Sequence, residues 1–168
     1  MEATLDTTPT TAQARSTHAG KYLTFALTTE EYGLPVLKVR EIIKVMPITA
    51  VPQVPSHVRG VINLRGKVIP VIDLRLKFGL PSQADTDQTC IIVVQVEADR
   101  SKVMMGLLVD GVSEVLNISP QEIEDPPAFG EQIRTDYMQG VAKVKGTVKI
   151  LLDIDRVLTA GEVSSLPC

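Results

Sequence analysis

Residues 60–74, GVINLRGKVIPVIDL, set an arginine and a glycine between two short apolar runs. Val61 to Leu64 and Val68 to Ile72 are rich in Val and Ile and too short for a helix, so both are expected as strands. Gly66 supplies the positive φ that a tight reversal needs. The stretch is therefore a β-hairpin, with Arg65 at or beside its turn and facing water. Taken alone, a charge at a hairpin tip needs no role beyond solvation.

The pattern returns further along the chain. A shift of 80 positions lays this segment over GVAKVKGTVKILLDI at 140–154, matching Gly60, Val61, Gly66, Val68 and Asp73 to Gly140, Val141, Gly146, Val148 and Asp153, with Arg65 over Lys145. A shift of 73 lays GLPVLKVREII at 33–43 over GLLVDGVSEVL at 106–116, matching Gly33, Leu34, Val36, Val39 and Glu41 to Gly106, Leu107, Val109, Val112 and Glu114. The chain is thus an internal repeat of two units of about 65 to 70 residues, with extra residues in the second unit inside SPQEIEDPPAFGEQ at 119–132. Ser119 to Glu122 has capping-box chemistry with proline at the first helical position, which predicts a short helix there, ended by Pro126-Pro127.

Within each unit the signals are those of short strands. Leu23, Phe25 and Leu27 alternate with Tyr22, Thr24 and Thr28, the period of a half-buried strand. A turn at TTEE, then EYGLPV, KVREIIKV, a Pro-rich loop and the hairpin complete the first unit; TCIIVVQV, EADRSK and VMMGLLVDGV open the second. Five or so strands per unit suit a small closed barrel, which leaves no exposed sheet edge. A unit of that size is marginal alone, so the two are expected to share buried surface. The expected organisation is a tail over 1–20, disordered by composition with six threonines in its first 17 residues, one barrel over 21–88, a second over 89–158, and a short tail over 159–168.

Composition excludes several function classes. A net charge of -3 and a pI near 5.4 argue against nucleic acid, whose binders carry basic surfaces. The longest apolar run, Val103 to Val109, is far short of a membrane span, and the threonine-rich amino terminus has no secretory core, so a cytoplasmic protein is expected. Cys90 and Cys168 form no disulfide framework; Cys90 opens an apolar run and is expected as a small buried hydrophobe. His18 and His57 have no companions that complete a catalytic set, and no metal-ligand or phosphate-loop spacing occurs. Asp73 and Asp153 recur as a pair, which admits a hydrolase reading. Each also follows an apolar strand and precedes a short helical pattern, DLRLKFG or DIDRVL, so each is expected to cap a helix.

With hairpin and repeat together, the chain resembles the chemotaxis coupling protein (CheW) family. The matching segments are EYGLPVLKVREII, VPQVPSHVRGVINLRGKVIPVIDLRLKFG, GLLVDGVSEVLNISPQEI and YMQGVAKVKGTVKILLDIDRVL, which cover about residues 21–158. The resemblance implies a mainly β fold of two SH3-like five-stranded barrels with short helices. It implies a non-enzymatic adaptor, without cofactor or metal, joining the cytoplasmic tips of methyl-accepting chemoreceptors to the regulatory domain of the chemotaxis histidine kinase. A coupling protein for another output pathway is the alternative. The same resemblance places Val39, Glu41, Gly60 and Arg65 in or near a receptor-binding surface at the groove between barrels; kinase-binding residues are expected mainly on the second barrel and are not named. Arg65 would bond receptor carboxylates or carbonyls, and Glu41 a receptor cation.

Overall fold

The computed structural model describes residues 20–80, 84–98, 101–125 and 137–157. Most of them lie in strands of two sheets. The first unit supplies β1 (Lys21–Leu27), β2 (Glu30–Pro35), a 3₁₀ turn at Val36–Lys38, β3 (Val39–Lys44), β4 (Val58–Leu64), β5 (Lys67–Asp73) and the helical turn α1 (Leu74–Lys77). The second supplies β6 (Cys90–Ala98), β7 (Ser101–Val109), β8 (Gly111–Asn117), a 3₁₀ turn at Pro120–Glu122, β9 (Ile123–Glu124), β10 (Met138–Val144), β11 (Thr147–Leu152) and a 3₁₀ turn at Ile154–Arg156.

The sheets do not follow the expected division at 88/89. One runs β8-β1-β2-β11-β10-β9 and the other β3-β6-β7-β5-β4, so each joins the opening hairpin of one unit to the closing strands of the other. The joints are parallel and equivalent: β2 meets β11 with Gly33 opposite Leu151, and β7 meets β5 with Gly106 opposite Val71. Even the short strand β9 has a counterpart, because Glu124 pairs with Val141 as the isolated bridge of Thr49 pairs with Val61. The five and six strands of these sheets are compatible with the small barrels expected.

Three apolar clusters follow from this interleaving. Ile62, Ile69, Val71, Ile91, Val93 and Leu108 fill the five-stranded sheet, while Tyr22, Ile118, Ala142 and Leu151 fill the six-stranded one. The largest cluster joins the two, with Phe25 and Leu34 of one sheet against Ile72, Ile92 and Leu107 of the other. A four-ring stack, Phe25, Tyr32, Phe78 and Tyr137, runs along it with neighbouring centroids 5.1–6.0 Å apart. Strand β1 belongs to two clusters at once, which overturns the half-buried reading. Its core face is Leu23, Phe25 and Leu27, while Tyr22 and Thr24 are buried on the other face. The polar atoms there are satisfied, Thr24 Oγ1 by the Glu114 carbonyl at 2.8 Å and the Tyr22 hydroxyl by Gln139 Nε2 at 2.7 Å.

The caps behave as expected. Asp73 Oδ1 accepts from Arg75 N at 3.0 Å, and Asp153 Oδ1 from Asp155 N at 3.2 Å. At Ser119 the capping box forms, Ser119 N donating to Glu122 Oε1 at 2.9 Å. That turn holds only three residues and gives way directly to β9, so strand pairing ends it rather than Pro126-Pro127, which lie outside the described residues, as do residues 1–19 and 158–168. Cys90 is half-buried at the start of β6, and burial pushes its thiol above the ordinary range, as suits an inert side chain.

Candidate functional site

The Arg65 hairpin has a two-residue loop, Leu64 pairing with Lys67, and so both loop residues adopt positive φ: 52° at Arg65 and 85° at Gly66. The positive φ expected at Gly66 thus extends to Arg65, because a two-residue loop of this twist requires it at both positions. Arginine in that conformation costs about 1–2 kcal/mol. Asn63 Oδ1 accepts from Gly66 N at 2.8 Å and braces the loop from its flank.

From this loop Arg65 reaches across to β3 and pairs with Glu41, its NH2 donating to Oε2. Arg65 is 69% exposed and Glu41 29%, so the pair lies at the surface. It ties together β3 and β4, the two edge strands of the five-stranded sheet. Val39 begins β3 two residues before Glu41, half-buried against the central cluster. Gly60 is different in kind. It is buried, its φ is 142°, and a Cβ there would overlap the Thr49 carbonyl oxygen, with the carbonyl carbon at 2.7 Å. The bulge between Val58 and Gly60 and the Thr49–Val61 bonds of 2.8 and 2.9 Å need that close approach. Of the four residues expected at the surface, Glu41 and Arg65 touch, Val39 adjoins them, and Gly60 acts from below by shaping β4.

The second unit offers an internal comparison. Lys145 and Gly146 have nearly the same backbone, φ 53° and 80°, and Glu114 stands where the first unit has Glu41. Yet among the described residues Lys145 and Glu114 have no ion-pair partner, both being exposed, and Lys143 replaces Asn63. The fold repeats the turn without repeating the pair.

A second cluster of charges was not legible from the sequence. Arg75, on α1, is completely buried: Nε and NH2 donate to Asp73 Oδ1 and Oδ2 at 3.0 and 3.1 Å, and NH1 donates to Asp110 Oδ1 at 2.7 Å. Arg59 NH1 adds a bond to Asp73 Oδ2 at 3.1 Å, and Asp110 Oδ2 accepts from Thr28 N at 2.6 Å. The network therefore links the end of β5, the β7–β8 turn and the β1–β2 turn, holding one sheet to the other. Burial by itself would raise the Asp73 carboxyl, but the bonds and charge of Arg75, with the bond from Arg59, hold it below its ordinary value. In the second unit Asp155 stands where the first has Arg75 and makes a half-exposed pair of reversed sign with Lys38, the neighbour of the Leu37 that matches Asp110, Lys38 Nζ lying 2.8 Å from Asp155 Oδ2.

None of this assembles an enzyme-like centre. Asp73 is committed to two arginines and a helix cap, Asp153 pairs with Arg156 at 3.6 Å, and the described residues hold no grouping of His, Cys, Asp and Glu that could bind a metal. No helix among them is long and apolar enough to cross a membrane.

Comparison with known proteins agrees with the geometry. The chemotaxis protein CheW of Klebsiella aerogenes is 34% identical over 151 residues, covering 90% of this chain and 89% of its own. That of Rhizobium meliloti is 34% identical over 154 residues, covering 87% and 97%. The crystal structure of the scaffolding protein TtCheW from Thermoanaerobacter tengcongensis superposes with a TM-score of 0.76 at 35% identity, over 88% of this chain and 99% of that one. With a CheW-like domain matching residues 21–162 as well, the chain belongs to the CheW family.

Proposed function

We propose that this protein is a non-enzymatic adaptor that couples methyl-accepting chemoreceptors to the chemotaxis histidine kinase, at receptor arrays on the cytoplasmic face of the membrane, and that Arg65, Glu41 and Val39 form its receptor face, with Gly60 shaping it from beneath. The observation that carries the placement is the difference between the two units. A pair needed only to close a barrel would recur at Lys145 and Glu114, and it does not.

An exposed guanidinium paired with a half-exposed carboxylate suits a receptor helix carrying both charges, because the planar fork of arginine can exchange one carboxylate for another at little loss. Val39 gives an apolar contact beside it. An adaptor that holds receptor on one surface and kinase on another makes the second encounter intramolecular and raises its effective concentration. Transmission then requires that the kinase's active and inactive states contact the adaptor differently.

The test is co-sedimentation of purified kinase with receptor-bearing membranes in the presence of native protein or Arg65→Glu. The expected result is that kinase pellets with the native protein and not with the variant, which still binds kinase in solution. Equal loss of both partners, or kinase that pellets without any adaptor, refutes the assignment.

A further inference from the structure

We propose that Asn63 is the positioning residue of the receptor face, acting through Arg65; this rests on the receptor role proposed for that hairpin. Asn63 is exposed and sits on β4 opposite Val68, outside every apolar cluster, so it is not there for packing. Its side-chain carbonyl accepts the Gly66 amide at 2.8 Å, across the loop that carries Arg65. The loop's shape does not require this bond, because the Lys145-Gly146 loop takes the same φ values with Lys143 in place of Asn63.

What the bond adds is persistence. Arg65 occupies a backbone conformation that is costly for a non-glycine residue, and any excursion from it would swing its guanidinium away from Glu41 and from a helix docked beside it. A brace on the amide of the next residue suppresses those excursions before binding, so the ordering cost is not charged against affinity. The two units agree with this. The loop with the brace has an arginine engaged with an acid on β3, whereas the loop without it has a lysine that, among the described residues, reaches none.

The experiment measures binding of the full chain to receptor-bearing membranes and, separately, to purified kinase, for native protein, Asn63→Ala, Asn63→Asp, Arg65→Ala and the double variant Asn63→Ala/Arg65→Ala. Loss of one preorganising hydrogen bond is expected to weaken receptor binding about three- to tenfold. Kinase binding should be unchanged. Asn63→Asp, which keeps the acceptor oxygen, should restore most of the receptor affinity, and Asn63→Ala should add nothing once Arg65 is alanine. If Arg65→Ala weakens receptor binding but Asn63→Ala does not, or if the two losses multiply, the positioning role is wrong while the receptor face stands. If Arg65→Ala leaves receptor binding intact, the receptor face itself falls, and the role of Asn63 with it.

Discussion

Arg75→Met removes the charge at the centre of the buried network while keeping most of the side-chain volume. Three bonds of 2.7–3.1 Å to Asp73 and Asp110 disappear, from a fully buried guanidinium whose partner Asp73 is also fully buried and whose partner Asp110 is partly exposed. Removing one partner of a buried ion pair costs about 3–5 kcal/mol, most of it from the charge left behind. Asp73 retains Arg59 and the Arg75 amide, and Asp110 retains the Thr28 amide, so the lower end of that range, about 3 kcal/mol, is expected. With a urea dependence of about 2 kcal/mol/M, the midpoint should fall by about 1.5 M. The control lies in the same molecule. Lys38→Met breaks the reversed pair with Asp155, whose side chains are 28% and 30% exposed, and should cost no more than about 0.5 kcal/mol, or about 0.25 M in urea. Urea titrations of both variants followed by circular dichroism decide the matter. Similar shifts for Arg75→Met and Lys38→Met would show that burial of the Arg75 network contributes nothing particular, and that the sheets are held by apolar packing alone.

The pH dependence of the native protein follows from the same network. Because the Asp73 carboxyl is lowered on folding, the unfolded chain takes up its proton first, so this group's stabilisation is complete above about pH 4 and is lost as pH falls through its lower folded value; urea midpoints that do not decline below pH 4 would contradict the pairing. Two of the positive-φ glycines, Gly60 and Gly66, should respond unequally to alanine. At Gly66 nothing lies within 4 Å of the added Cβ, so only backbone strain of about 1–2 kcal/mol is expected, whereas Gly60→Ala drives the methyl into the Thr49 carbonyl, breaks the bridge to Val61 and should cost more than about 3 kcal/mol. Thermal melts in which Gly66→Ala is the more damaging of the two would overturn that account.

The strands, the hairpin and both caps were legible in the sequence because each depends on local chemistry: Val- and Ile-rich runs too short for a helix in β4 and β5, a glycine at a two-residue loop, an aspartate before a helical turn. The crossing of the hairpins between sheets was not. Since the units repeat, Gly33 could face Val71 of its own unit or Leu151 of the other across much the same parallel joint, and no local signal separates the two. In the crossed form both sheets contribute to the central cluster, a property of the whole chain that no local signal carries. The Arg75 network was hidden for a similar reason. Arg75 and Asp110 lie 35 positions apart, and an arginine in DLRLK has the look of a solvent-facing helical residue until β7 and α1 are packed together. At the candidate site, Arg65 and Glu41 were singled out separately, and their pairing with each other appears only when β3 and the β4–β5 loop are set side by side.

The crossed topology bears directly on how such an adaptor could pass a signal. Each sheet is built from strands of both units, so neither unit can move far against the other without breaking a parallel joint, and the two sheets are held together by the central cluster and the Asp73–Arg75–Asp110 bonds. A hinge between independently folded barrels would need a sparse, polar boundary, and the boundary here is the largest apolar cluster of the molecule with a buried arginine beside it. In the proposed role, a boundary of this kind favours passing movement from the Arg65 face as displacement of the whole adaptor rather than as a change of internal angle. On the proposed function, receptor control of the kinase resides in how the adaptor is placed against its partners, and substitutions that loosen the Arg75 network should uncouple the two while leaving each binding surface intact.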